Sequence, residues 1–380
     1  MAEPRSICFY TPSTDPSGMG AHVLDLIAAF AGTVDVSLMA RALPGTRWLL
    51  DRAGDLGAET VPLPSPRDPR FGTLVTGFLA ARPADVFHCH VGTGSENWDG
   101  VRLARTAGCP VVVQTQHLPY ALSSPSRRQA YFRAIAPVDR LIAVSAGLRR
   151  TYERIGVPTG AFTTVANGIA PLARRMPRAE ARRALGLDAE QPVVLTVGRL
   201  THMKAQWQLL DSVPDLVARF PALAVVLLGD GPLRQALVER AASLGVAHAV
   251  RFPGHRPDAR LLLAAADVFA LPSKCEGMPL AALEAMEAGL PVVATRVVGS
   301  EEVVADGETG ALVPFGRPAE FGAALATLLA DPALRRRQGA AARRRYLAGF
   351  TRDRMAQETA AVYAELLRTA ARPALTGSRT

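Results

Sequence analysis

Four side chains, two acidic and two basic, carry the chemistry this chain can offer, and they fall in two stretches. The first stretch is Pro272-Ser-Lys-Cys-Glu276-Gly-Met-Pro279-Leu-Ala-Ala-Leu-Glu284, closed by Gly289-Leu-Pro291. Glu276 stands just ahead of a short helix, whose free backbone N–H groups and dipole favour negative charge. Glu284 lies on the same helical stripe as Leu280 and Leu283, so it needs a cation, water or the hydroxyls of a ligand to offset its burial. The second stretch is Val193-Val-Leu-Thr-Val-Gly198-Arg199-Leu-Thr-His-Met-Lys204, a buried strand opening into a loop with two cations able to grip a diphosphate. Of the 43 basic residues only Lys204 and Lys274 are lysine, and both fall in these stretches. In a chain otherwise built from arginine, that points to a site suited to a compact ammonium. Taken singly, each stretch reads as an ordinary helix start with a solvated charge; together they read as a site.

The surrounding elements must bring the two stretches into one place. Val268-Phe-Ala-Leu271 is a buried strand, Gly277 permits a turn, Pro279 suits the first helical position, and Gly289 with Pro291 stops the helix. Further strands are predicted at Ser6–Tyr10, Val34–Leu38, Val86–His90, Pro110–His117, Arg140–Ser145 and Ala224–Leu228, with helical stretches between them, among them Ala21–Phe30 and a final helix from Arg352 to Arg368. Such alternation implies parallel sheets with ligands at the strand carboxyl ends. At those ends lie His88, His90 and His117. His88 and His90 are read as alternating faces, one of them packed inside, and His117 is taken as the site candidate. No acid or cysteine stands in ligand spacing with them, which counts against zinc. Gly18-Met-Gly20 ahead of the first helix suits an anion or a close-lying ligand. It lacks the third glycine and the following acid of a dinucleotide fingerprint, which counts against a nicotinamide enzyme.

A length of 380 residues suggests two domains, and 49% hydrophobic residues suffice for two cores. No apolar run approaches bilayer length, and the first residues lack the pattern of a signal peptide. Cys8, Cys89, Cys109 and Cys275 are widely spaced, as expected of reduced thiols in the cytoplasm. A net charge of +9 suits an anionic nucleotide donor. Nucleic acid is not expected, because the arginines are dispersed, with runs only at 335–337 and 343–345, read as solvated helix faces. Segments 126–133 and 148–154 mix aromatic and basic residues, which leaves peripheral contact with the inner membrane face as a second option to ordinary surface helices.

The ordered set Gly198-Arg199 to Lys204, Gly229-Asp-Gly231-Pro-Leu-Arg234, Phe252-Pro-Gly254 and Glu276-Gly-Met-Pro to Glu284 resembles the signature of the retaining glycosyltransferases of family 4. The resemblance implies an α/β architecture of the GT-B type, two Rossmann-like doubly wound parallel-sheet domains facing a deep cleft. Residues 1–170 would form an acceptor-binding domain, 171–187 a linker, 188–349 the nucleotide-sugar domain, and 350–380 a helix and tail returning to the first domain. It implies sugar transfer from a nucleoside diphosphate sugar, UDP foremost and GDP or ADP second, to a small-molecule, saccharide or lipid hydroxyl. Arg199 and Lys204 would neutralise the diphosphate beside Gly198, with backbone N–H groups of Gly277, Met278 and Leu280 helping, and Glu284 would take the ribose hydroxyls. By resemblance, Glu276 would bind a donor-sugar hydroxyl, His117 would reach that sugar, Arg256 would line the base pocket, and the loop with Gly18 and Gly20 would face donor and acceptor. Asn167-Gly168 matches the turn that closes the first domain, although Ala170 replaces the usual acid, and Ala205 stands where glycine is frequent. No Asp-x-Asp occurs, so neither a divalent metal nor any other cofactor is called for. An epimerase or phosphorylase of the same architecture, and a nucleotide-sugar-binding protein without catalysis, are the rival readings.

Overall fold

The computed structural model describes residues 3–13, 18–92, 99–119 and 124–371. The chain divides into two compact units, one built from the chain up to Gly168 plus the segment from Arg352 onward, the other from Ile169–Thr351. In the first unit the strands are β1 (Ser6–Thr11), β2 (Asp35–Arg41), β3 (Glu59–Leu63), β4 (Val86–Val91), β5 (Val111–Gln116), β6 (Arg140–Ala143) and β7 (Phe162–Thr164). They form one parallel sheet in the order β3-β2-β1-β4-β5-β6-β7. The second unit has β8 (Val193–Val197), β9 (Ala224–Leu228), β10 (Val250–Gly254), β11 (Val268–Leu271), β12 (Val292–Thr295) and β13 (Gly310–Val313), parallel in the order β10-β9-β8-β11-β12-β13.

Both sheets are buried on two faces, as runs of valine, leucine and isoleucine in parallel strands require. Alternate residues of β1 divide between two cores. Ile7 and Phe9 pack with Val23, Leu26 and Ile27 of the helix Gly18–Phe30 and with Met355 and Tyr363 of the helix Arg352–Ala370. Cys8 and Tyr10 pack with Phe71, Val75 and Leu79 of the helix Arg70–Ala81. In the second unit the helices Gln206–Arg219 and Pro318–Ala330 supply Leu209, Val213, Phe321 and Leu325 to the core under β8 and β9. Two Rossmann-like doubly wound units of the GT-B type result, and each sheet reverses its strand order once, between β1 and β4 and between β8 and β11. Such reversals open a crevice at the strand carboxyl ends.

Several expectations need adjusting. The first helix begins at Gly18, so Gly18 and Gly20 sit within its first turn; Thr14–Ser17 of the preceding loop lie outside the described residues, as does the tail after Ala371. The arginine runs near the end are not simply solvated. Arg335 donates to the carbonyls of Leu328 and Leu329, Arg343 to that of Glu287, and Arg345 to those of Glu302 and Val303. Each satisfies carbonyls that a helix C-terminus leaves unpaired. Segment 171–187 contains the helix Arg178–Ala184, whose Arg178 and Arg182 bind Asp267 ahead of β11 at 2.8 and 3.2 Å. All four cysteines are free. Among the described residues no helix is long and apolar enough to cross a membrane.

Candidate active site

In the second unit β8 and β11 are neighbours, with Val268 beside Val194, so the loops leaving them emerge side by side. Lys274 N–H donates to the Met203 carbonyl at 2.8 Å and ties one loop to the other. Lys204 Nζ then lies 2.7 Å from Glu276 Oε1. The Glu276 side chain is 4% exposed and that of Lys204 29%, so the buried acid is met by a half-open cation. Beside Glu276, the Cys275 thiol is pushed up, first by burial and then by the Glu276 charge, which makes it a poor nucleophile. Arg199 is exposed, and its carbonyl accepts from Gln206 Nε2 at 2.9 Å.

Backbone contacts fix both loops. Gly198 N–H donates to Leu228, Leu200 N–H to Asp230, and Leu233 N–H to Leu200. Gly229 is glycine because a Cβ there would stand 2.0 Å from the Gly198 carbonyl oxygen. The Gly-Asp-Gly turn after β9 is therefore a close-fitting wall for the lysine loop. On the other side a Cβ on Gly299 would meet the Gly277 carbonyl oxygen at 2.3 Å and Met278 N at 2.7 Å. Ala205, at φ +46°, is the one residue other than glycine in the left-handed region among the described residues.

The helix after the acidic turn spans Leu280–Glu287, and Pro279 caps it with extended backbone instead of occupying its first position. The Pro279 carbonyl accepts from Ala282 and Leu283, which is why the helix proper starts one residue later than proline chemistry alone suggests. At its far end the buried Glu287 carboxylate meets Arg175 at 2.7 Å, and its carbonyl accepts from Arg175 and Arg343. Glu284, on the leucine stripe, faces Arg260 at 3.7 Å. Arg256 is instead held by both oxygens of Asp258, at 2.8 and 2.7 Å.

In the first unit the helix carrying Gly18 and Gly20 brings His22 to the ends of β4 and β5. A Cβ on Gly20 would touch the Trp48 ring at 3.0 Å, so tight packing is one reason for that glycine. His88 and His90 do not alternate faces. Two residues apart on a strand they share one, with ring centroids 4.1 Å apart, and both are fully buried. His88 is satisfied as a core group, with Nδ1 2.5 Å from the Tyr363 hydroxyl and Nε2 2.7 Å from Thr115 Oγ1. His90 Nδ1 lies 3.2 Å from His117 Nε2. Burial pushes His22 down to about 4, with the neighbouring Asn167 opposing, and holds His88, His90 and His117 well below the usual imidazole range. All four rings are neutral at pH 7.

The family model for glycosyl transferases group 1 matches residues 177–345, and that for a glycosyl transferase 4-like domain matches residues 17–168. D-inositol 3-phosphate glycosyltransferase of Salinispora arenicola is 33% identical over 408 residues, covering 94% of this chain and 89% of that protein. The chain belongs to the glycosyl transferases group 1. The protein of the same name from Rhodococcus opacus is 37% identical over 253 residues, 63% of this chain and 56% of that protein, so the chain spans about half the length of several relatives it matches. Among solved structures, Anabaena HepE in complex with UDP and glucose superposes with a TM-score of 0.82 at 21% identity, covering 95% of this chain and all of that one. That likeness concerns the fold.

Within this group 1 chain, the second unit brings Gly198, Lys204, Glu276, Gly277 and Met278 into one corner, with Arg199 on the same loop. Glu284 lies further along the helix that starts beside them. Gly18, Gly20 and His117 belong to the first unit. Sequence reasoning missed Arg260 and His22. The signal for Arg260 was the need of a half-buried Glu284 for a partner, a need the sequence reading met with ribose hydroxyls and no named cation. His22 carried no signal, since a histidine on an apolar helix face reads as core.

Proposed function

We propose that this chain transfers a sugar from a nucleoside diphosphate sugar, UDP-sugar foremost, to an acceptor hydroxyl with retention of anomeric configuration and without a divalent metal in the donor site. The observation that carries this reading is the Lys204–Glu276 pair at the carboxyl ends of β8 and β11, where the second sheet reverses its order. A cation and a helix start at such a crevice suit the charge that develops on a departing diphosphate. Lys204 and Arg199 neutralise that diphosphate, and the backbone at Gly277, Met278 and Leu280 adds N–H dipoles. Glu276 exchanges part of its bond with Lys204 for a hydroxyl of the donor sugar, which orients the anomeric carbon. Glu284 takes the ribose hydroxyls while Arg260 holds its charge in place. The chain has no Asp-x-Asp, and the two cations take over the neutralising work a metal does in other donor sites. Retention follows from attack on the face the diphosphate leaves, with a leaving phosphate oxygen accepting the acceptor proton. The first unit supplies the acceptor site, and His117 reaches the donor sugar.

Several relatives, those of Rhodococcus opacus and Salinispora arenicola among them, bear the name D-inositol 3-phosphate glycosyltransferase, so an inositol phosphate belongs in the acceptor panel beside saccharide and lipid acceptors. The test is a panel of UDP-, GDP- and ADP-sugars with chelator present, read by donor consumption and by NMR of the product anomer, with NAD in parallel. Transfer from one donor with retention supports the reading. An inverted product, a need for divalent metal, or cofactor binding without donor turnover overturns it. Glu276→Gln is expected to lower turnover by orders of magnitude, and Lys204→Ala to weaken donor affinity more than it slows the chemistry.

A further inference from the structure

We propose that Arg260 is a positioning residue that makes the second unit select ribonucleoside over deoxyribonucleoside diphosphates, a claim that rests on the proposed reading of Glu284 as the acceptor of ribose hydroxyls. Arg260 stands on the short helix Ala259–Leu262 after β10, and Glu284 on the helix Leu280–Glu287 after β11. Arg260 Nε lies 3.7 Å from Glu284 Oε1, with the two side chains 29% and 19% exposed. That same Nε is buried and has no hydrogen-bond partner. At 3.7 Å the contact is an attraction between charges and not a hydrogen bond, so this nitrogen holds the carboxylate without occupying one of its lone pairs. The acid nearest to Arg260 in sequence, Asp258, is taken by Arg256 at 2.8 and 2.7 Å.

The other end of the guanidinium is anchored. Arg260 Nη2 donates to the Ala170 carbonyl at 2.8 Å. The neighbouring Ile169 is held on both sides, its N–H donating to the Phe350 carbonyl at 3.0 Å and its carbonyl accepting from the Tyr346 hydroxyl at 2.9 Å. Arg260 thus reaches Glu284 from a fixed point of main chain. A ribose diol is best met by a carboxylate that accepts from both hydroxyls at once, which requires the acid to be held at one angle before the nucleotide arrives. Without a counter-charge, a half-buried Glu284 beside Leu280 and Leu283 would be drawn toward water. A lysine would not serve equally, because one ammonium lacks the two fixed nitrogens with which the planar guanidinium meets the Ala170 carbonyl and the Glu284 carboxylate together.

The experiment titrates the full chain by calorimetry with UDP, GDP and ADP and with the 2′-deoxy form of each. The nucleotide that binds is expected to lose at least about tenfold in affinity without its 2′-hydroxyl, the contribution of a hydrogen bond to a charged group. In Arg260→Gln the ribo form is expected to weaken about tenfold while the deoxy form changes little, so the ratio between them falls about tenfold. Arg260→Lys is expected to recover only part of that ratio. Glu284→Gln is expected to flatten the ratio as well, and adding Arg260→Gln to it is expected to change the ratio no further. Replacing the exposed Arg336 by Gln is expected to leave both affinities intact. A purely structural loss weakens both forms equally and keeps the ratio; that result in Arg260→Gln with unchanged circular dichroism overturns the proposal, as does a native chain indifferent to the 2′-hydroxyl. Where Arg260→Gln does not fold, Arg260→Lys decides, and a ratio there equal to the native one overturns the proposal. Absence of binding by all three diphosphates overturns the transferase reading and this proposal together, whereas a ribose preference untouched by Arg260 overturns this one alone.

Discussion

The Lys204–Glu276 pair allows a quantitative test through a double-mutant cycle of Lys204→Met, Glu276→Gln and the two combined. At 2.7 Å and an effective dielectric of ~20, the gross attraction is about 6 kcal/mol. Desolvation removes much of it. Breaking a wholly buried pair costs about 3–5 kcal/mol, whereas exposed pairs contribute about 0–1 kcal/mol. With Glu276 at 4% and Lys204 at 29% exposure, the coupling falls between these limits, at about 2 kcal/mol. Lys204→Met is expected to be the more damaging single change, because it leaves the more deeply buried charge behind, and adding Glu276→Gln is expected to restore part of the loss. Urea unfolding at neutral pH, followed by fluorescence of Trp207 in the helix just after Lys204, provides the measurement. A coupling below about 0.5 kcal/mol, or a double variant no better than Lys204→Met, refutes the view that the acid depends on this cation.

Acidification is expected to destabilise the first unit. His22 titrates near 6.5 when unfolded but about 4 when folded, so the unfolded chain binds more protons in that window and stability falls as pH drops through it. His22 alone contributes a slope of about 1.4 kcal/mol per pH unit, and urea midpoints that stay flat on going from neutral pH into this window would contradict it. Ala205→Gly relieves a left-handed alanine costing about 1–2 kcal/mol while adding about 0.5–1 kcal/mol of unfolded-chain freedom; a net gain of up to about 1 kcal/mol is expected, and a loss in thermal unfolding would show that φ is not the deciding factor. Gly299→Ala drives a methyl into the Gly277–Met278 backbone, so donor affinity is expected to drop at least about tenfold, a loss of about 1.4 kcal/mol; unchanged affinity in calorimetry would separate that turn from the donor.

The alternation of apolar strands and helices was enough to read the architecture, because parallel strands buried on both faces leave long runs of valine and leucine such as Ala224–Leu228. β3 was missed because it reads Glu-Thr-Val-Pro-Leu at the sheet edge, where one proline is tolerated and the apolar signal fades. That the two stretches belong together was legible from Glu284, which needs a partner among its leucines, and from the two rare lysines, but the contact of Lys204 with Glu276 was not. Arg260 was not legible as the cation facing Glu284, since the two lie far apart in the chain and only the fold brings them together. The histidine faces were misjudged through strand periodicity, and His22 could be found only once the helix was laid across the strand ends.

Where Gly229 meets Gly198, one stretch of main chain rests directly on another with no room for a methyl between them. Any effort to retune what Arg199 and Lys204 are proposed to hold must therefore work from the solvent side of that loop, because its back is a surface that mutation cannot reshape without prising two strands' ends apart.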